Sequence, residues 1–201
     1  MIKNIIFDIG NVLMKFTWRD YVHRIFNNDE ELIAKVNGSI WHTGLWDELD
    51  RNVLSEEEIF AGMRAHDASC VDAVNYALDH VHECIDKQDY AIPWIKELKA
   101  RGYKIYFLSN YSHFTQRTAP EVLDFLPLID GGVFSYEVQY IKPDERIYRA
   151  LFARYNLNIE ECVFIDDNEK NVAGGNAIGL KSILFENQEQ AKRELEVVLR
   201  R

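Results

Sequence analysis

An α/β doubly wound sheet interrupted by a helical insert is the fold class that this 201-residue sequence predicts. Three observations predict it. Five short runs, Ile5-Phe7, Ile105-Leu108, Gly132-Phe134, Val163-Ile165 and Ser182-Phe185, are apolar on both faces, as in a parallel sheet covered by helices. Helical patterns alternate with the later runs, the signature of strand-helix-strand units. The segment from Lys15 to Lys87 breaks that alternation: it contains no proline and few strand-like runs, and its apolar residues recur at helical spacing.

The elements follow in order. Ile5-Ile6-Phe7 forms the first strand and ends at Asp8, before Gly10-Asn11. In the insert, Tyr21-Ile25 and Ile33-Val36 show helical spacing, and Ser55 with Glu58 forms a capping-box pattern ahead of Ile59-Phe60. Pro93 marks the first turn of a helix that Gly102 closes after Lys99-Ala100-Arg101. Ile105-Leu108 then leads into Ser109-Asn110. After Gly132-Phe134 comes Lys142-Pro143, followed by a helix from about Asp144 to Tyr155 with Ile147, Leu151 and Phe152 on one stripe. Val163-Ile165 ends at Asp166-Asp167, and a helix follows Asn168 as far as Gly179. Residues 1–14 and 88–201 therefore read as one core, and residues 15–87 as a helical insert.

Bulk properties narrow the function. Hydrophobic residues make up 47% and charged residues 28%, as in an ordinary soluble globular chain. Three cysteines, without metal-type spacing, read as reduced thiols. Met1 leads directly into a core strand, and no apolar run is long enough to span a bilayer, so the expected location is the cytoplasm. The net charge of -10 falls almost wholly on residues 15–90, with 7 Lys/Arg against 16 Asp/Glu. An acidic face repels phosphate backbones, which argues against a nucleic-acid partner; the plain reading of the surplus is a solvated helical face.

Four polar sites then fall after strand-like runs: Asp8, Ser109-Asn110, Lys142 and Asp166-Asp167. Each alone has an ordinary explanation. An aspartate at a strand end can cap a helix, Ser-Asn can be a turn, and a lysine before Pro-Asp can be a surface residue. Together they gain meaning, because ligands of open α/β sheets bind outside the carboxyl ends of the strands. Three carboxylates brought together repel and call for a cation, and an all-oxygen set suits Mg²⁺ better than zinc. Mg²⁺ commonly shares its site with a substrate phosphate, which a hydroxyl, an amide and a lysine could hold. An aspartate facing that phosphate can attack it.

Asp8-Ile9-Gly10-Asn11-Val12, Leu108-Ser109-Asn110, Lys142-Pro143-Asp144 and Phe164-Ile165-Asp166-Asp167-Asn168, in this order, resemble the four motifs of haloacid-dehalogenase-superfamily hydrolases over essentially the whole chain. The branch they look most like holds α-glucose-1-phosphate phosphatases and the amino-terminal phosphatase domain of soluble epoxide hydrolases. The resemblance implies a Rossmann-like core with helices on both faces, and makes the insert a cap over the substrate. It implies Asp8 as nucleophile and Mg²⁺ ligand, the Gly10 carbonyl, Asp166 and Asp167 as further ligands, Ser109 and Lys142 as phosphoryl-holding groups, and a small phosphate ester as substrate. Asn110, Asn11, Trp46 and His42 are the expected substrate contacts.

One position departs from the pattern. Most phosphatases of this superfamily carry an acid-base aspartate two residues after the nucleophile, and here that residue is Gly10. A missing general acid favours good leaving groups such as anomeric phosphates, hence a hexose 1-phosphate. His42, Asp47 and His113 are alternative proton sources. Trp41 and Trp46 fit either packing or a flat wall for a sugar ring, with Asp47, Asp50 and His42 able to hydrogen-bond its hydroxyls. Competing readings are a haloacid dehalogenase, for which the paired Asp166-Asp167 has no use; a phosphonate hydrolase with Lys35 as its amine; and a phosphosugar-binding protein without catalysis, for which Asp8 has no use.

Overall fold

The structure is a computed structural model and describes residues 1–200. Its elements in chain order are β1 (Asn4–Phe7), β2 (Met14–Phe16), α1 (Trp18–Ile25), α2 (Glu30–Ile40), α3 (Leu45–Arg51), α4 (Glu56–His66), α5 (Val71–Asp79), β3 (Ile85–Lys87), α6 (Ala91–Ala100), β4 (Lys104–Ser109), α7 (His113–Thr118), β5 (Gly131–Phe134), α8 (Ser135–Val138), α9 (Glu145–Tyr155), β6 (Cys162–Asp166), α10 (Glu169–Ala177), β7 (Lys181–Leu184) and α11 (Gln188–Leu199).

Five strands form one parallel sheet in the order β5-β4-β1-β6-β7. Successive side chains of a strand face opposite sides, and the sheet uses both. Ile5, Phe7, Ile105, Phe107, Val163 and Ile165 pack with Trp94 and Leu98 of α6 and Leu195 of α11. Ile6, Tyr106, Leu108, Cys162 and Phe164 face the other way, onto Ile147, Tyr148 and Leu151 of α9. That two-sided burial explains why the runs look uniformly apolar in sequence.

The strand order places the site. The chain runs outward from β1 through β4 to β5, then crosses to β6 on the other side of β1. This reversal opens a crevice at the carboxyl ends of the central strands. Phe7 pairs with Phe107 on one side and Ile165 on the other, so the residues that follow, Asp8, Leu108 and Asp166, lie level.

The insert departs from the all-helical expectation at its stems. Met14–Phe16 and Ile85–Lys87 form a two-stranded antiparallel ribbon, Lys15 opposite Asp86, so both expected boundaries, at residues 15 and 87, fall inside a strand. Between the stems, α1 to α5 pack around Val22, Ile33, Val36, Ile40, Ile59, Met63 and Val74, all buried. The Ser55–Glu58 capping box forms: the Ser55 hydroxyl accepts from the Glu58 N–H, and the Glu58 carboxylate accepts from the Ser55 N–H.

Candidate active site

Asp8, Lys142 and Asp166 form the buried floor of the crevice. Lys142 Nζ lies 2.8 Å from Asp8 Oδ1 and 2.6 Å from Asp166 Oδ2. Lys142 and Asp166 are 3% and 0% exposed, so this is a bridged charge triad in a region of low dielectric, where removing one partner is costly. Asp166 is further fixed by the Asn168 N–H at 2.8 Å and by Asn171 Nδ2 at 3.1 and 3.2 Å. The Ile9 N–H donates to Asp8 Oδ1 at 2.7 Å.

Burial and neighbouring charges together shift the titration of these groups. Burial pushes Asp8 up to about 7; Lys142 opposes that rise, and Asp166 and Asp167 add to it. Burial pulls the Lys142 ammonium down, but Asp166 and Asp8 outweigh it and leave its pKa above the ordinary lysine value. Asp167 is raised by burial, against a hydrogen bond from Asn11. Carboxylate oxygens of Asp8, Asp166 and Asp167 all lie within 4.8 Å of one another. At an effective dielectric of about 20, each ionised pair at that spacing repels by about 3–4 kcal/mol. The trio is therefore an oxygen-donor set that a hard divalent cation would stabilise.

The expected substrate contacts separate on inspection. Trp46 lines a cavity of about 200 Å³ together with Gly10, Met14, Phe16, Asp50, Asn110, Tyr111 and Thr115. Asn110 borders that cavity, yet its amide is engaged at both ends: Nδ2 donates to the Lys142 carbonyl at 3.1 Å, and Oδ1 accepts from the Lys142 N–H at 2.7 Å. It holds the lysine backbone in place. Asn11 is likewise engaged, donating to Asp167 Oδ2 at 3.0 Å and accepting from the Phe16 N–H at 3.0 Å. It joins the carboxylate trio to the ribbon. His42 is exposed, its ring edge-on to Trp18 at 6.1 Å, and is not among the residues lining the cavity. His113 stacks on Tyr136 with ring centroids 3.9 Å apart. Lys35 pairs with Glu31 one turn away on α2, so it is not the cavity amine that the phosphonate reading requires.

Glycine at position 10 is not a requirement of the turn. The left-handed residue of the turn is Asn11, at φ 55°. A Cβ placed on Gly10 would meet nothing within 4 Å. The backbone does not require glycine here; its consequence is open space two residues beyond Asp8. Sequence reading did not single out Asn171, Ser135, Tyr111 or Thr115. Asn171 could have been found as an amide in the first turn of the helix after Asp166-Asp167. The other three carry no local signal, because the tertiary fold alone brings them to the crevice.

Fold and site together define an open, parallel α/β protein whose charged groups gather at the carboxyl ends of its central strands. Residues 2–179 match the haloacid dehalogenase-like hydrolases, and the chain belongs to that family. A D-ribitol-5-phosphate phosphatase of Bacteroides thetaiotaomicron is 27% identical, covering 99% of each chain. A drimenol cyclase of Aspergillus calidoustus is 25% identical over 97% of this chain, which spans only 36% of that longer protein. Among solved structures, a HAD-like family hydrolase from Porphyromonas gingivalis superposes with a TM-score of 0.76 at 23% identity, covering 100% of this chain and 99% of that one. A HAD family enzyme from Bacteroides thetaiotaomicron, crystallised with magnesium and inorganic phosphate, gives 0.64 at 19% identity, covering 92% and 94%. No helix among the described residues is long and apolar enough to cross a membrane.

Proposed function

We propose that this hydrolase is a Mg²⁺-dependent phosphatase that cleaves a small phosphate monoester through a phosphoryl group carried on Asp8. The observation that carries this reading is the buried pairing of Asp8 with Lys142 at 2.8 Å, inside a carboxylate trio whose oxygens lie within 4.8 Å. Asp8, Asp166, Asp167 and the Gly10 carbonyl would hold Mg²⁺; bound there, the ion supplies positive charge that draws a phosphate dianion toward a carboxylate. The other contributions come from the chain. Asp8 attacks phosphorus, the ester oxygen leaves, and water releases phosphate from Asp8 in a second step. Lys142 screens the anionic nucleophile from the anionic substrate. Ser109, buried at the end of β4, makes one long side-chain contact among the described residues, 3.4 Å to the Asn110 carbonyl, so its hydroxyl can turn to a phosphoryl oxygen.

A phosphatase relative and a structural neighbour crystallised with magnesium and phosphate support this reading. A dehalogenase would have no use for the trio. Within the phosphate esters, the reading extends to hexose 1-phosphates. Trp46, stacked near Phe16 at 5.8 Å, offers an aromatic wall to a sugar ring, and the cavity of about 200 Å³ is sized for one small molecule. The floor carries one cation, Lys142, enough for a single phosphoryl group.

Turnover of an aryl phosphate should require Mg²⁺ and be inhibited by Ca²⁺, whose larger, looser shell misplaces the phosphate. Full activity on that ester after exhaustive chelation would refute the Mg²⁺ requirement. The substrate reading rests on kcat/KM for α-glucose 1-phosphate, glucose 6-phosphate and a nucleoside monophosphate at one Mg²⁺ concentration. Hexose 1-phosphate should lead; a nucleotide ahead by tenfold, about 1.4 kcal/mol, overturns that extension alone.

A further inference from the structure

Asp50 stands apart from every other acidic residue of the insert. It lies on α3, is 6% exposed, and lines the same cavity as Gly10. Among the described residues its carboxyl has no hydrogen-bond or ion-pair partner, whereas its backbone carbonyl accepts a 2.6 Å hydrogen bond from Ser135 Oγ. Ser135 is itself fully buried and also receives the Tyr111 N–H at 2.9 Å, so the α3 backbone is pinned to the end of β5. The carboxyl oxygens are not among the buried polar atoms left without a partner, so they face the cavity rather than the packed interior. Across the cavity, Gly10 leaves clear space in the turn that follows Asp8.

We propose that Asp50 is the general acid and base of the reaction, reaching from the insert into the space that Gly10 leaves open. The assignment rests on the phosphatase reading above. In the first step Asp8 Oδ forms a bond to phosphorus, the bond from phosphorus to the ester oxygen breaks, and the Asp50 proton passes to that oxygen, releasing an alcohol. In the second step water attacks phosphorus, its proton returns to the Asp50 carboxylate, and the bond to Asp8 breaks, releasing phosphate and restoring both side chains.

The groups facing Asp50 are consistent with this role. Burial raises its pKa well above the ordinary carboxylate value; Asp47 on its own helix and Asp8 on the floor raise it further, and Lys142 opposes them. The Tyr111 phenol lining the same cavity is also pushed up, chiefly by burial. Burial and the neighbouring carboxylates thus favour the protonated form of Asp50 more than that of an ordinary carboxyl. One consequence concerns substrate range: with an acid in place, the enzyme no longer needs an ester whose alcohol departs unprotonated. The hexose 1-phosphate reading then rests on the aromatic wall alone.

The test compares kcat/KM, which reports the step that cleaves the ester bond, for wild type and Asp50→Asn over phosphate monoesters graded from aryl to alkyl leaving groups, with saturating Mg²⁺. Asparagine keeps the shape and removes the transferable proton. Wild type should depend weakly on leaving-group pKa. The variant should lose about a hundredfold or more on alkyl esters beyond its loss on aryl esters. Because both esters are assayed on one sample, a partly folded preparation leaves that ratio intact. An equal loss on every ester, or an unchanged slope, overturns the assignment while turnover by wild type keeps the phosphatase reading. A wild type inactive on every ester overturns both.

Discussion

The floor and the wall of the cavity are built in different ways. On the floor, Asp8, Lys142 and Asp166 are locked by ion pairs and by donors from Ile9, Asn168 and Asn171, and Asn110 clamps the lysine backbone. The wall is contributed by Trp46 and Asp50 on α3, whose side chains are placed by packing rather than by polar partners. The wall is tied to the core through backbone and surface contacts: Ser135 to the Asp50 carbonyl, Gln139 to the Asn52 carbonyl at 3.1 Å, and Arg117 to both oxygens of Glu56 at 2.9 and 2.8 Å. Groups that carry charge through the reaction are thus held rigidly where two adjacent strands end and the loop bearing Lys142 meets them. The group proposed to exchange a proton is carried by the part of the chain joined to the core through the short β2–β3 ribbon.

If the floor is preorganised by its charge balance, the largest effect should follow from unbalancing it. Lys142→Met keeps the aliphatic stem but leaves Asp8 and Asp166 buried without their cation. Under chelation the variant should lose about 3–5 kcal/mol of unfolding free energy in denaturant titration. Mg²⁺ should restore much of that loss, though not turnover. A variant as stable as wild type under chelation would mean that the triad does not organise the floor.

A smaller effect sharpens the contrast from the wall side. The pKa of Asp50 is raised in the fold, so its charged form is disfavoured there. Its contribution to stability is fully present below the unfolded-state value of about 3.9 and is lost as pH rises toward the higher folded value. Asp50→Asn removes that dependence. The melting temperature of the variant minus that of wild type should therefore increase from acid to neutral pH, by about 2–4 °C for each kcal/mol. A flat difference would show that the carboxyl has found a partner in solution. The smallest effect is expected at His42, exposed beside Trp18. His42→Ala should keep kcat/KM within about twofold, in line with a surface substitution worth less than about 0.5 kcal/mol; a tenfold loss would move His42 into the wall.

This difference also governs what the sequence made legible. Asp8, Ser109 and Asp166-Asp167 could be read because an apolar run that stops at a polar residue is a local pattern, and the sheet topology then brings such stops together. Lys142 was readable as a charge, but its two short ion pairs depend on the loop between α8 and α9. Asn11 and Asn110 looked like substrate contacts because an amide beside a catalytic aspartate or serine is ambiguous until its partners are seen; those partners are Asp167, the Phe16 N–H and the Lys142 backbone. The ribbon escaped notice because each strand has only three residues and its partner is distant in sequence. Asp50 read in sequence only as a hydrogen-bonding group for substrate hydroxyls, alongside Asp47 and His42. Its burial arises from α3 docking against Ser135, a contact that no periodicity encodes.

The central claim is that Asp8 carries the phosphoryl group. The direct measurement is rapid acid quench of the Mg²⁺-loaded enzyme during turnover, followed by peptide mass analysis, with Asp8→Asn as the parallel sample. The peptide holding Asp8 should gain the mass of one phosphoryl group, lost again on treatment with hydroxylamine as an acyl phosphate requires. Asp8→Asn should show no such peptide and lose at least about a thousandfold in turnover, about 4 kcal/mol of barrier, with its fold intact. Wild-type turnover without a phosphorylated Asp8 peptide, together with an active, folded Asp8→Asn enzyme, would contradict the account.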